Sequence, residues 1–297
     1  MISYTPPHLH LPRGAGQGRG HGPRMKDLLH PRNRAALARF LGPASAPRRV
    51  LLAFDYDGVL APHVKDPSGA RIRPRTRALL RRVARLYPVA VVSGRAWRDC
   101  ARFLGRIDAT VVGNHGFELG RPVPVPAAVA RQVRGWRRRL ERDLEHVEGI
   151  HFEDKRSTLA VHYGLGGDLA AAERAVYEAA NQLEGTRLIP GKRVLNVLPH
   201  DFPSKGDAVR ALVARLGADG AVVLGDDVTD EDAFAVGAPL VFGVHVGKGP
   251  SLAPWRLATQ VDVDALLALL IQARGGARRA KASRVAPRSE DRRGGHA

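Results

Sequence analysis

Val50-Leu51-Leu52-Ala53-Phe54-Asp55-Tyr56-Asp57-Gly58-Val59-Leu60 sets two carboxylates, one residue apart, directly behind a continuous apolar run. A run of that kind reads as a strand buried on both faces of a parallel sheet, and Gly58 marks the turn out of it. Both carboxylates then emerge at the carboxyl end of the strand, where open α/β sheets place their ligand sites. An aspartate there can attack a phosphoryl group while the next but one handles the proton, which splits one displacement into two easier steps. A strand followed by an Asx-type turn accounts for the same residues, so the rest of the chain must decide between the two.

Downstream, the spacing of Leu79, Leu80, Val83 and Leu86 between arginines predicts a helix from Pro74 that Pro88 stops. Val89-Ala90-Val91-Val92 is a second buried strand, ending in Ser93-Gly94-Arg95. A helix over Trp97–Leu104 follows, and Thr110-Val111-Val112 is a third strand, ending in Gly113-Asn114-His115-Gly116. This alternation predicts an α/β fold with a doubly wound parallel sheet. After Pro126 the pattern changes to a basic amphipathic helix (127–147), two alternating strands (149–155 and 158–163), a helix (169–183) and two further strands near Leu188 and over 194–198. Alternating strands belong to a sheet with one solvated face, so this stretch reads as an α+β cap domain inserted after the third core strand. A helix over 206–216, the strand Ala221–Leu224, a short strand at Leu240–Phe242 and a helix over Asp264–Gln272 complete the core. The expected segments are a helix and linker at 25–49, core at 50–122 and 201–273, and cap at 123–200.

The chain has 297 residues and a formal charge of +18. That charge sits at the ends: residues 1–49 hold nine Lys/Arg against one acid and residues 274–297 hold eight against two, leaving about +4 on the 224 residues between them. Residues 1–24 are rich in Pro, Gly, His and Arg without periodicity, and both 1–24 and 274–297 read as disordered basic tails. A bias toward Arg, Ala, Gly and Pro accounts for the charge without a nucleic-acid partner, although a polyanion-binding role through the tails is an alternative. Met25 stands directly before a helical pattern and is a second candidate start. Cys100 is the only cysteine, so neither an internal disulfide nor a thiolate cluster is available. No apolar run approaches a membrane span and the N-terminus has no secretory pattern, so a cytoplasmic, monomeric protein is expected.

Four features fall at carboxyl ends of core strands or at a helix start beside them: Asp55 with Asp57, Ser93, Lys205, and the acidic run Gly225-Asp226-Asp227-Val228-Thr229-Asp230-Glu231-Asp232. In-line phosphoryl transfer needs an anionic nucleophile, a divalent cation and donors for the equatorial oxygens. So many carboxylates repel one another and the phosphate unless a hard cation joins them, and Mg²⁺ suits an all-oxygen site that keeps several waters. Ser93 and Lys205 then supply a hydroxyl and a point charge to the phosphate.

In that order the four motifs resemble the haloacid dehalogenase superfamily of phosphatases, and the insert resembles that superfamily's larger type of cap. More narrowly, Gly113-Asn114-His115-Gly116, Glu153-Asp154-Lys155 with Leu159-Ala160-Val161-His162-Tyr163, Gly191-Lys192, and Gly225 through Phe234 are similar to the trehalose-phosphate phosphatases. The similarity spans roughly 48–272. It implies a haloacid dehalogenase-like core and a Mg²⁺-dependent hydrolase of trehalose biosynthesis that converts trehalose 6-phosphate to trehalose and phosphate through an aspartyl-phosphate. It further implies Asp55 as nucleophile and metal ligand, Asp57 as general acid/base and a metal ligand through its carbonyl, Asp226 as a third ligand, and Asp230 in the outer metal shell. Arg95, Asn114, His115, Gly116, Lys155, His162, Lys192 and Asn196 would then face the sugar. Two departures fall in the cap: Gly164 where the family usually has arginine, and Asn196 where it usually has glutamate. Val59 also replaces a common threonine. The cap selects the leaving group, so another sugar or glycosyl phosphate is the alternative substrate. A receiver domain is excluded by motif order and by the separation of Ser93 from Lys205. The Gly243–Gly249 stretch is one residue short of a P-loop and lacks its Ser/Thr.

Overall fold

The computed structural model describes residues 25–43, 45–64, 67–164, 166–191 and 193–285. The expected tail over 1–24, the end at 286–297 and the candidate sugar ligand Lys192 lie outside the described residues. The described residues open with β1 (Lys26–Asp27) and α1 (Pro31–Leu41), then β2 (Val50–Phe54), α2 (Pro74–Ala84), β3 (Val89–Val92), α3 (Trp97–Leu104), β4 (Thr110–Gly113) and β5 (Glu118–Leu119). An insert follows as α4 (Ala127–Asp143), β6 (His151–Asp154), β7 (Leu159–His162), α5 (Leu169–Asn181), β8 (Thr186–Gly191) and β9 (Val194–Pro199). The core resumes with α6 (Lys205–Leu216), β10 (Gly220–Gly225), α7 (Val228–Phe234), β11 (Val241–Val246), β12 (Trp255–Leu257) and α8 (Asp262–Val285).

The large sheet runs β1-β12-β11-β10-β2-β3-β4-β5, and only the β4–β5 pair is antiparallel. All five residues of β2 are buried, and alternate residues enter opposite layers. Leu52 and Phe54 join Leu80, Val83, Phe103 and Leu266 from α2, α3 and α8. Leu51 and Ala53 join Val209, Leu212 and Phe234 from α6 and α7. Helices thus cover both faces, and the sheet is doubly wound. In register, Phe54 stands beside Val91 of β3 and Leu224 of β10. The residues that follow these three strands therefore leave the sheet at one edge.

The insert folds as its own antiparallel sheet, β6-β7-β9-β8. Its apolar face, Leu159, Val161, Leu195 and Val197, buries Val133, Trp136 and Leu140 of α4 and Ala172, Val176 and Ala180 of α5. Each buried Val or Leu side chain among them contributes roughly 1.5–3 kcal/mol. At the junction with the core, Phe117 stacks on Phe202, ring centroids 4.9 Å apart, over Ile189 and Leu198.

The structure differs from the sequence reading mainly at the margins. The helix expected just after Met25 starts at Pro31, because Lys26 pairs with Trp255 at the sheet edge and the Asp27 carboxylate accepts from the Leu29 N–H. β1, β5 and β12 are too short to show a period. β11 runs on through Gly243 and His245 to Val246, where the apolar run in the sequence breaks. α8 continues past Gln272 to Val285, into the segment expected as a tail, since Ala, Arg and Lys favour helix where apolar periodicity has already ended. Among the described residues no helix is long and apolar enough to cross a membrane.

Candidate active site

The carboxyl edge of β2, β3 and β10 brings together the candidate residues from three distant parts of the chain. Asp55 follows β2, its N–H donating to the Leu224 carbonyl at 2.9 Å, and it is only 7% exposed. Its Oδ1 accepts from the Tyr56 N–H at 2.6 Å, and its Oδ2 lies 3.0 Å from Lys205 Nζ. Lys205 opens α6 behind a capping box in which the Ser204 hydroxyl accepts from the Asp207 N–H and the Asp207 carboxylate accepts from the Ser204 N–H. That box aims the lysine inward, where it is 2% exposed and donates to Asp230 Oδ1 at 2.8 Å. The other oxygen of Asp230 accepts from the Asp226 and Asp227 N–H groups, both at 3.1 Å.

Carboxylate oxygens of Asp55, Asp226 and Asp230 lie within 4.8 Å of one another. One ammonium cannot neutralise three carboxylates. Burial pushes the Asp55 carboxyl well above its ordinary range; Lys205 pulls it down and Asp230 and Asp226 push it further up. Burial opposes the charge on Lys205 too, but Asp230 and Asp55 together hold its ammonium well above the usual range. Asp226 Oδ1 is buried with no hydrogen-bond partner, although buried polar atoms are ordinarily satisfied. An all-oxygen group with residual negative charge and an orphaned acceptor fits a hard divalent cation. Gly58, at φ +72°, makes room for this group: a Cβ there would lie 2.0 Å from Asp226 Oδ2. Gly58→Ala should displace the Asp226 carboxylate and weaken divalent-cation binding by about tenfold or more. Calorimetric titration measures it, and unchanged affinity would remove Gly58 from the site.

Asp57 sits apart from the three. Its carboxylate is held by the Arg95 fork, Nε to Oδ2 at 2.5 Å and Nη2 to Oδ1 at 2.7 Å, a bidentate pair. The guanidinium in turn lies over the rings of Tyr56 and Phe103, 5.5 and 5.2 Å from their centroids. Arg95, expected at the sugar, is thus engaged with Asp57. Ser93 is buried at the end of β3, where its hydroxyl accepts from the Arg95 N–H at 3.2 Å.

Asn114 and His115 form a 3-10 turn after β4, strapped to the same segment by Asn114 N–H to the Arg95 carbonyl and His115 N–H to the Ser93 carbonyl. Both adopt left-handed backbone, φ +46° and +58°, at a cost of order 1–3 kcal/mol each. Asn114 Oδ1 and His115 Nδ1 are buried and unpartnered. Burial, with Lys155, Lys205 and Arg187 nearby, holds the His115 imidazole neutral. Two orphaned polar atoms on a strained turn, ringed by cations, suit a polar, anionic ligand. Gly116 completes the turn and packs under the Ser204 carbonyl.

From the cap, Lys155 reaches this region at the β6–β7 tip. Burial lowers its pKa, Glu153 raises it, and Arg95 and Asp57 are close enough to act on it as well. Glu153 Oε2 lies 3.2 Å from His162 Nε2 and 3.9 Å from Lys155 Nζ. Asn196 stands in register with Ala160, which pairs with Glu153, so Asn196 shares the Glu153 face; its amide donates to the Ile189 carbonyl at 3.4 Å. Gly164 adopts φ +80°, a conformation an arginine would reach only with strain.

Three residues here had been given no site role from the sequence. Glu153 was legible as an outward position of an alternating strand. Arg187, whose Nη2 donates to the Pro203 carbonyl at 3.3 Å and whose Nε is buried without a partner, and His63, 2.7 Å from Asp226 Oδ2, carried no local signal.

Residues 53–260 match the trehalose-phosphatase family. The chain is 36% identical over 243 residues to the bifunctional trehalose-6-phosphate synthase/phosphatase of Thermoproteus tenax, covering 78% of this chain and 32% of that protein. It is 35% identical over 225 residues to the trehalose-phosphate phosphatase of Mycolicibacterium paratuberculosis, covering 68% of this chain and 55% of that protein. The chain therefore spans about a third and about half of these two relatives' lengths. The fold is shared with the C-terminal domain of the C. albicans trehalose-6-phosphate phosphatase, at a TM-score of 0.67 and 23% identity, over 81% of this chain and 97% of that one.

Proposed function

Since the chain belongs to the trehalose-phosphatase family, we propose that it hydrolyses trehalose 6-phosphate to trehalose and phosphate through an aspartyl-phosphate, with Mg²⁺ as cofactor. The observation that carries this reading is the buried Asp55 beside Lys205, two positions before Asp57 and in one group with Asp226 and Asp230.

Asp55 attacks phosphorus as the bond to the sugar oxygen breaks, and Asp57 delivers the proton that the leaving alkoxide needs. Asp57 then takes a proton from the water that attacks the aspartyl-phosphate, which releases phosphate and restores the Asp55 carboxylate. The Arg95 fork donates one hydrogen bond to each Asp57 oxygen, so the proton that Asp57 carries sits on a lone pair that the fork leaves free. Lys205 holds Asp55 in place and, with the Ser93 hydroxyl, faces the transferred group. Mg²⁺, when held by Asp55, Asp226 and the Asp57 carbonyl with Asp230 behind them, supplies the charge that lets carboxylate and phosphate approach. Asn114, His115 and Gly116 bind from the core, and Lys155, His162, Lys192 and Asn196 from the cap.

A disaccharide engages more of the cap's polar residues than a monosaccharide can. Each buried polar group left without a partner costs about 1–3 kcal/mol, so trehalose 6-phosphate should exceed glucose 6-phosphate in kcat/KM by roughly tenfold or more. Phosphate release from a panel of sugar phosphates, with Mg²⁺ and after chelation, tests both parts. A better substrate than trehalose 6-phosphate would make Gly164 and Asn196 markers of changed specificity. Full activity after exhaustive chelation would end the metal assignment.

A further inference from the structure

The loop that follows Asp57 carries His63 back over the group of three carboxylates. Its Nε2 lies 2.7 Å from Asp226 Oδ2. The other oxygen of that carboxylate, Oδ1, is buried and has no hydrogen-bond partner. The two oxygens are therefore in unlike settings: one is fixed from the solvent side by a ring N–H, since an ionised carboxylate only accepts, and the other is left open. Gly58 packs against the carboxylate from another side, so closely that a Cβ would strike it. An aspartate restrained on two sides keeps few rotamers, and a ligand oxygen already aimed loses little freedom when an ion arrives.

We infer that His63 is a positioning residue of the cation site, holding Asp226 Oδ2 so that Oδ1 is the oxygen offered to the ion. This rests on the reading of the three-carboxylate group as a divalent-cation site. His63 does so from the rim, with its side chain 62% exposed, so removing it leaves no core cavity. The opposite role, in which His63 merely covers Asp226 and must be displaced by the ion, makes the opposite prediction about affinity.

Calorimetric titration of the full chain with Mg²⁺, at one fixed pH, separates the two. His63→Ala should weaken Mg²⁺ binding about tenfold, and His63→Gln, whose amide places an N–H where the ring Nε2–H stood, should restore most of the loss. Equal or tighter binding by His63→Ala would overturn the inference, as would a His63→Gln variant no better than alanine. A wild-type chain that takes up no Mg²⁺ at all would instead bring down the cation reading itself, and the role of His63 with it.

Discussion

Asp55→Asn should reduce turnover by on the order of 10⁴-fold or more while leaving the chain folded and, without metal, at least as stable as the wild type. The amide keeps the shape of the side chain but cannot act as the attacking anion. Stability follows from the charge count. Asp55 is buried beside Asp226 and Asp230 with one ammonium among them, and its pKa is raised. A carboxyl whose folded pKa is raised contributes stability below its unfolded pKa and loses it as pH rises through the folded value, so at neutral pH its ionisation opposes folding. Asparagine has no such charge, and Lys205 keeps Asp230 as a partner. Thermal melts in EDTA should place Asp55→Asn at or above the wild type at neutral pH. The difference should vanish on acidification below the ordinary carboxylate range. Activity within about tenfold of wild type would remove Asp55 as nucleophile, and a large loss of stability at neutral pH would contradict the electrostatic account.

Lys205→Ala should fail in both respects. The ammonium bridges Asp55 at 3.0 Å and Asp230 at 2.8 Å from a fully enclosed position, and its removal strands two buried carboxylates. Breaking a buried pair from one side costs about 3–5 kcal/mol, which corresponds to a fall of roughly 10 °C in a chain of this size. Turnover should fall at least about a hundredfold, because Asp55 is no longer held toward the reacting group. Excess Mg²⁺ should recover part of the lost melting temperature by supplying charge to the same carboxylates. A melting temperature within about 2 °C of wild type would show that Lys205 is not the neutralising partner the geometry makes it.

The order of the core was legible because strands buried on both faces are continuous apolar runs, as at Val50–Phe54 and Val89–Val92. The cap was legible because its strands alternate. The edge strands Lys26–Asp27, Glu118–Leu119 and Trp255–Leu257 were not, since two or three residues carry no period. Nor did an apolar pattern mark the extension of the last helix to Val285.

Local pattern was enough to say which residue types stand at the ends of which strands: two aspartates after the first central strand, a serine after the second and an acidic run after Gly225. Strand ends must face one edge of a parallel sheet, so local pattern was enough to gather them. Which group partners which came from the packing of distant segments. Arg95 grips Asp57, Lys205 divides itself between Asp55 and Asp230, and His63 fixes one oxygen of Asp226. These pairings turn on register and helix entry to within a few tenths of an ångström, between residues far apart in the chain. A hydrogen bond depends on that distance, and no local periodicity encodes it.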